Sequence, residues 1–228
     1  SRCAFGIYLA NSNKNIIRNN LSQNNVYYGI YFTNSCTNTL QDNLIQNNGS
    51  YGLYIADTSN YNILTSNTVK YSGRGIYLFN YCCNNTLTGN TAESISWEGI
   101  CISTYSESNI LTNNTSQNNS GGANPYGFSI GTNSNNTTLS NNIARNNAGF
   151  GFFIMDSHRN SITNNFSQNN TQYGFVFSSS DTNTITNNTS QNNTTYGFYF
   201  SSSNNNKLFS NTSSNNKSTN GYGFYIQN

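Results

Sequence analysis

Residues Gly174 to Tyr196 read GFVFSSSDTNTITNNTSQNNTTY, and the stretch from Gly197 begins GFYFSSSNNNKLFSNTSSNN, so one plan is written twice in succession. The same Gly-apolar-X-apolar opening stands at Gly6, Gly29, Gly52, Gly75, Gly99, Gly127, Gly151, Gly174, Gly197 and Gly223, with successive differences of 23, 23, 23, 24, 28, 24, 23, 23 and 26. A period in the twenties marks a stacked solenoid, whose units bury their apolar faces only against their neighbours. The repeat never breaks, so there is no place for a linker, and residues 1–228 are read as one domain.

Each unit opens with a short strand such as Ile7-Tyr8-Leu9, Ile30-Tyr31-Phe32 or Leu53-Tyr54-Ile55. Period-two alternation sends the first and third residues inward and the middle one outward. The outward slot holds Tyr8, Tyr31, Tyr54 and Tyr77, then Cys101, Ser129, Phe153 and Val176, then Tyr199 and Tyr225. This is an expected exposed aromatic stripe. A second signature, N-x-[IL]-x-x-N, keeps its second Asn in nine units: Asn20, Asn43, Asn67, Asn90, Asn114, Asn142, Asn165, Asn188 and Asn211. Placement that strict predicts an inward ladder, each amide bonding the one above and the one below. Small residues two places on, Ser22, Ser116 and Ser190 among them, complete a third short strand. Three strands per turn, each pairing with its equivalent one turn away, define an all-β, right-handed parallel β-helix of nine to ten coils. The competing leucine-rich repeat needs an L-x-x-L-x-L frame that is missing here.

Asn, Ser and Thr dominate the remaining positions, a composition that alone suits a disordered chain, but the 17 Tyr and 14 Phe recur at fixed places. Charged residues are 7% and the net charge is +2, which leaves no basic stripe for nucleic acid. No apolar run approaches the length of a membrane span. The first residue is not Met and no signal-like stretch follows, so the chain reads as processed or excised. The first strand starts near residue 5 and the last ends near Ile226 with no cap-like segment, so coils of successive molecules could continue one helix into a filament or hoop.

The units G-[IF]-Y-[ILF] and N-x-[IL]-x-x-N resemble the parallel β-helix repeats of the pectin-lyase-like superfamily, including NosD-type and carbohydrate-binding or sugar-hydrolase repeats. The Asn/Ser/Thr-rich version is similar to repeats in secreted sheath and surface-layer proteins of methanogenic archaea. The resemblance covers the whole chain and implies the fold. It implies activity only weakly, because the scaffold hosts lyases, hydrolases, epimerases, adhesins and wall proteins.

Polysaccharide cleavage on this scaffold calls for clustered carboxylates. The seven acids are Asp42, Asp57, Glu93, Glu98, Glu107, Asp156 and Asp181, mostly single. The best constellation is Asp156-Ser157-His158-Arg159 with Asp181, because His158 and Asp181 each lie seven residues past their glycine and should be stacked neighbours. Such a pair suits acid–base work or a plain surface ion pair. The Tyr stripe can stabilise its sheet, bind sugar rings or pack against another subunit.

Five cysteines with no C-x-x-C pair and no adjacent His do not form a zinc motif, and neither a metal nor a cofactor is expected. Cys36 and Cys82 share an expected column two coils apart, beyond disulfide reach, so Cys3, Cys36, Cys82 and Cys83 are candidates for intermolecular bonds. Sequons at Asn48, Asn84, Asn118, Asn135, Asn169, Asn192 and Asn216 fall at expected bends and are candidate glycosylation sites. The leading expectation is a non-enzymatic, extracellular structural protein that self-associates at the cell surface into a sheath, layer or fibre. The alternative is a carbohydrate-binding or polysaccharide-modifying β-helix protein with cell-surface glycans as partners.

Overall fold

A computed structural model describes residues 2–217 and 222–227. The described residues contain strands and bends and no helix. The strands lie in three parallel sheets of ten, nine and nine members, each strand pairing with its equivalent one coil away. The first sheet runs from Phe5–Ala10 to Phe224–Gln227, the second from Ile16–Arg18 to Lys207–Phe209, and the third from Leu21–Gln23 to Thr212–Ser214. This is the parallel β-helix expected from the repeat, with three strands per coil.

The bends explain the composition. The first coil has left-handed residues at Asn11, Lys14, Asn19 and Asn24, and the Gly174 coil at Ser179, Thr182, Asn187 and Asn192. Asn tolerates that conformation better than most residues, because its short side chain bonds locally. In these two coils the residue after each left-handed position points inward and bonds across coils. An Asn-Asn pair such as Asn164-Asn165 or Asn187-Asn188 therefore does two jobs in succession, turning the chain and then laddering it.

The Asn column at the second bend is continuous from Asn20 to Asn211. Each Oδ1 accepts the backbone N–H and the Nδ2–H of the Asn one coil earlier, at 2.9–3.1 Å. From Asn43 on, each Nδ2 also donates to the backbone carbonyl of the Leu or Ile one coil before, at 2.7–3.0 Å. Two further inward columns flank it. One runs from Asn15 to Asn206 with Thr137 as a variant; the other runs from Asn25 to Asn216 with Ser72 and Ile95 as variants. A serine column completes the set at the first bend, where Cys82 takes a serine place.

Unequal repeat lengths are absorbed where no ladder residue is lost. The coils opening at Gly52, Gly75, Gly99 and Gly127 carry a second left-handed residue at the first bend: Thr58, Tyr81, Tyr105 and Asn133. The longest coil spends its extra residues between Asn119 and Gly127. This corrects the expected cysteine column. Cys36 aligns with Asn60 and Cys83, and Cys82 aligns with Ser59 and Ser106, because Thr58 shifts the count by one.

Inside, aliphatic residues such as Leu53, Leu64 and Ile76 fill the first coils, and Phe128, Phe152, Phe175 and Phe198 stack at 4.7–4.8 Å in the later ones. The glycine that opens each unit stands where the third sheet packs against the first. A Cβ at Gly52 would collide with the Val69 side chain, so only Gly fits. Asn114→Ala would remove the partner of two Asn90 donors and take the Nδ2 donor away from the Leu87 carbonyl and from Asn142 Oδ1, which keeps only the backbone N–H of residue 114. It should lower the unfolding free energy by about 3 kcal/mol, whereas Asn147→Ser, which keeps an acceptor as Ser72 does, should cost about 1 kcal/mol. Urea denaturation of the two variants checks both values.

Candidate functional site

The outward surface of the first sheet carries two aromatic columns. One is the expected stripe: Tyr8, Tyr31, Tyr54 and Tyr77 stack with ring centroids 5.0, 5.2 and 5.8 Å apart. The other consists of the residues just before each glycine, beginning Phe5, Tyr28 and Tyr51 and resuming at Tyr126, Phe150, Tyr173, Tyr196 and Tyr222. Strict alternation would send Tyr51 inward along with Leu53. Instead Gly52 packs inward, and Tyr51 turns outward beside Tyr54, their centroids 4.5 Å apart. The signal was present in the sequence as [FY]-G-x-[FY].

Nearly parallel rings at these separations overlap in part, so each shields some of its neighbour's face. The phenol ends, perpendicular to the sheet, stay outermost. A linear ligand lying along the helix axis would meet at least one hydroxyl-bearing ring edge in each of the first four coils, which lie about 4.8 Å apart.

Both columns break in the middle of the chain. Arg74 and Glu98 take the places of aromatics in one, and Cys101 and Ser129 in the other. Arg74 Nε donates to Glu98 Oε2 at 2.8 Å and Nη1 donates to the Tyr51 hydroxyl at 2.9 Å. Its guanidinium lies 5.5, 5.3 and 5.1 Å from the ring centroids of Tyr51, Tyr77 and Trp97. Burial works against its charge, but the hydrogen bond and carboxylate of Glu98, with Tyr51, hold its pKa above the ordinary guanidinium value. Beside it opens a cleft of about 280 Å³ lined by Gly49, Ser50, Tyr51, Gly73, Arg74 and Trp97. Trp97 is exposed at the rim, and its ring is backed by Gly122 of the longest bend. The arrangement offers a ring edge and a planar cation to one ligand group, with the Glu98 carboxylate buried against the cation. Neither Arg74 nor Trp97 stood out in sequence, because each breaks the repeat only once.

The structure brings His158 and Asp181 together as expected, with Nδ1 to Oδ2 at 3.9 Å. However, His158 Nδ1 accepts the backbone N–H of Asp181 at 2.9 Å, and His158's own N–H donates to Asn135 Oδ1 at 2.7 Å. His158 is thus a rung of a surface column that also contains Asn60, Cys83 and Asp181, and the nitrogen facing Asp181 is committed to the backbone. Asp156 sits at a left-handed bend position and is exposed. The glutamates separate: Glu93 pairs with Lys70 at 3.1 Å on the third sheet, Glu98 with Arg74 on the first, and Glu107 accepts from Asn135 at the first bend.

The sequon expectation is corrected at three positions. Asn48 and Asn216 belong to an inward ladder and Asn135 is buried as an acceptor, so a glycan at any of them would break bonds between coils. Ser218, the third residue of the Asn216 sequon, lies outside the described residues. Asn84, Asn118 and Asn169 are exposed, and Asn192 is half-buried. All five cysteines are free thiols; Cys3 is exposed, Cys36 and Cys83 are half-buried, and Cys82 and Cys101 are buried. Burial of Cys82 removes it from the candidates for intermolecular bonding.

The sequence matches the family described as periplasmic copper-binding protein (NosD) over residues 1–121 and again over residues 104–228. The chain belongs to the NosD family. No curated protein matches it. Among solved structures, the NosD chain is similar to a variant of the periplasmic alginate epimerase AlgG, with 17% identity, a TM-score of 0.71, and coverage of 81% of this chain and 47% of that one. It is similar to the A-module of the Azotobacter vinelandii mannuronan C-5 epimerase AlgE6, with 14% identity, a TM-score of 0.74, and coverage of 89% and 58%. It also resembles the catalytic domain of a GH87 alpha-1,3-glucanase, with 17% identity, a TM-score of 0.68, and coverage of 93% and 48%. This NosD chain spans about half the length of these structures, and identities this low speak for the fold alone.

These relatives correct one expectation. The fold was expected to serve a non-enzymatic structural protein, and the structures that share it include epimerases and a glucanase, so it is a fold that polysaccharide enzymes use. The self-associating sheath draws no support from them.

Copper selects thiolate, thioether and imidazole ligands. This NosD chain has one His, one Met and five Cys. His158 Nδ1 is taken by the backbone, the thiol of Cys82 is pushed up to about 12 by burial, and that of Cys101 is raised by the same cause. Cys36 and Cys83 are two coils apart, and each accepts a backbone N–H on its sulfur. Among the described residues no three His, Cys, Asp or Glu side chains are placed to share a metal ion. The residues present do not fit copper.

Burial is the main cause that raises the phenols of Tyr28, Tyr31, Tyr54, Tyr77, Tyr126 and Tyr173 above their ordinary 10.0, and it raises the thiols of Cys82, Cys83 and Cys101 above 9.0. The folded chain therefore holds these protons more tightly than the unfolded chain. That share of stability is complete below the unfolded values and is lost as pH rises through the folded ones. The urea midpoint should be level up to about pH 8.5 and fall progressively from about pH 9 to 11; a midpoint still level at about pH 11 would contradict the assignment.

Proposed function

We propose that this chain is a carbohydrate-binding or polysaccharide-modifying β-helix protein that works outside the cytoplasm and contacts its polymer along the aromatic surface of the first sheet. The observation that carries this reading is the pair of adjacent aromatic columns, one ring per column in most coils, interrupted beside a cleft lined by Arg74 and Trp97. Repetition along the axis suits a repeating ligand, because Tyr8, Tyr31, Tyr54 and Tyr77 offer the same edge in four successive coils. Amphipathic aromatics at such a surface supply contact area together with a hydroxyl at low entropic cost. The kinship with β-helix enzymes that act on polysaccharides supports the ligand class, and the periplasmic description of the family and of AlgG supports the location.

Tyr31, Tyr54 and Tyr77 form the run of the stripe that leads into the cleft, and Arg74 and Trp97 form its polar and aromatic end. Affinity electrophoresis through gels containing a panel of soluble polysaccharides tests the reading. At least one polymer should retard the wild-type protein, and the Tyr31→Ala, Tyr54→Ala double variant should bind it roughly tenfold more weakly while keeping its folded circular dichroism. Chromatography of the same polymers after incubation separates binding from modification. If no polymer retards the protein, the reading fails.

A further inference from the structure

The outward columns of the first sheet contain one cation and one anion among their described residues, and these two are bonded to each other. Arg74 and Glu98 meet at 2.8 Å, and every other position in the two columns is aromatic, apolar or hydroxyl-bearing apart from Cys101. From this we infer that the cleft lined by Tyr51, Arg74 and Trp97, with Glu98 buried against the guanidinium, is the selective subsite of the surface, and that it takes a neutral pyranose with vicinal hydroxyls in preference to a uronate. The inference rests on the polysaccharide reading above and names the sugar class within it.

A guanidinium has five N–H donors. Two are committed, Nε–H to Glu98 and one Nη1–H to Tyr51, which leaves three. Those three belong to a cation whose charge is already balanced by Glu98, a carboxylate buried outside the cleft lining. A vicinal diol meets those donors, its two neighbouring hydroxyl oxygens accepting from Arg74, and no charge needs to be neutralised. A uronate carboxylate asks for an unpaired cation. At this cleft it would compete with Glu98 for the same guanidinium and face a like charge next to it. Among the described residues of the two columns no other cation waits for the uronates of the neighbouring coils, and Arg2 lies off the columns in an adjoining hollow, so a polyanion would lie against these ring edges without compensation.

Trp97 provides the platform. Its ring is exposed at the rim, and a Cβ at Gly122 would stand 2.8 Å from it, so the backbone of the longest bend presses on the indole and limits its swing. A ring held in place before the ligand arrives costs less to order on binding. The cation seated among Tyr51, Tyr77 and Trp97 is fixed by the same packing, so the donor and the platform keep a constant relation.

The experiment compares neutral polymers (a β-glucan, a mannan and a xylan) with uronate polymers (an alginate and a polygalacturonate) at low and moderate salt, measuring Kd for wild type, Glu98→Gln and Trp97→Ala. Wild type should bind at least one neutral polymer roughly tenfold more tightly than either uronate, with little dependence on salt. Glu98→Gln frees the Arg74 charge, so the neutral-to-uronate ratio should fall roughly tenfold and uronate binding should become salt-sensitive. Trp97→Ala should weaken both classes with the ratio unchanged. Uronate preference in the wild type, or an unchanged ratio in a folded Glu98→Gln protein, overturns the inference and leaves the polysaccharide reading standing. Absence of binding to every polymer overturns both. The wild-type comparison stands even if Glu98→Gln does not fold.

Discussion

The structure depends on the hydrogen bond from one buried Asn amide to the next. Each Oδ1 in the column from Asn20 to Asn211 takes two donors from the coil before, and from Asn43 on each Nδ2 reaches a backbone carbonyl. A side chain with that many inward partners cannot move by one residue without stranding several of them in a dry interior. The column therefore sets the register of every strand, and with it the alignment of everything on the surface. Tyr31 stands over Tyr54, and Arg74 beside Glu98, because the amides behind them hold the coils in step.

Where the ladder is relaxed, the molecule varies. Added residues enter at the first bend as a second left-handed position, or at the third bend as the long segment after Asn119, and the second-bend column is never interrupted. The long segment is the one that backs Trp97, so the coil with the greatest departure from the repeat helps build the cleft. Departures from a repeat mark function for a simple reason. Stability is shared equally among coils, whereas a site needs a particular group at one height.

The scarcity of charge follows the same logic. In a stack of equivalent positions, like charges one coil apart would repel at every step, and some of the few charges that do occur are paired across coils, as Arg74 with Glu98 and Lys70 with Glu93. Hydroxyls, amides and phenols repeat without that cost. The surface is therefore polar yet close to neutral, which suits a polymer of neutral hydroxyl-bearing units.

The repeat length, the three strands, the inward Asn column and the outward Tyr8 to Tyr77 stripe were all legible in the sequence, because each follows from a local period and the strand period of two. What lay beyond it depended on contacts between segments distant in the chain. The close approach of the third sheet turns Gly52 inward and Tyr51 outward, one extra residue at Thr58 separates Cys36 from Cys82, and the backbone of Asp181 occupies His158 Nδ1. The cleft belongs to this second group, since Gly49, Arg74 and Trp97 come from three coils and meet only when the coils stack. Periodicity alone determined which residues lie above one another; only packing between the sheets decided which of them face out together, because the space a glycine must leave empty is set by the neighbouring strand and not by its own.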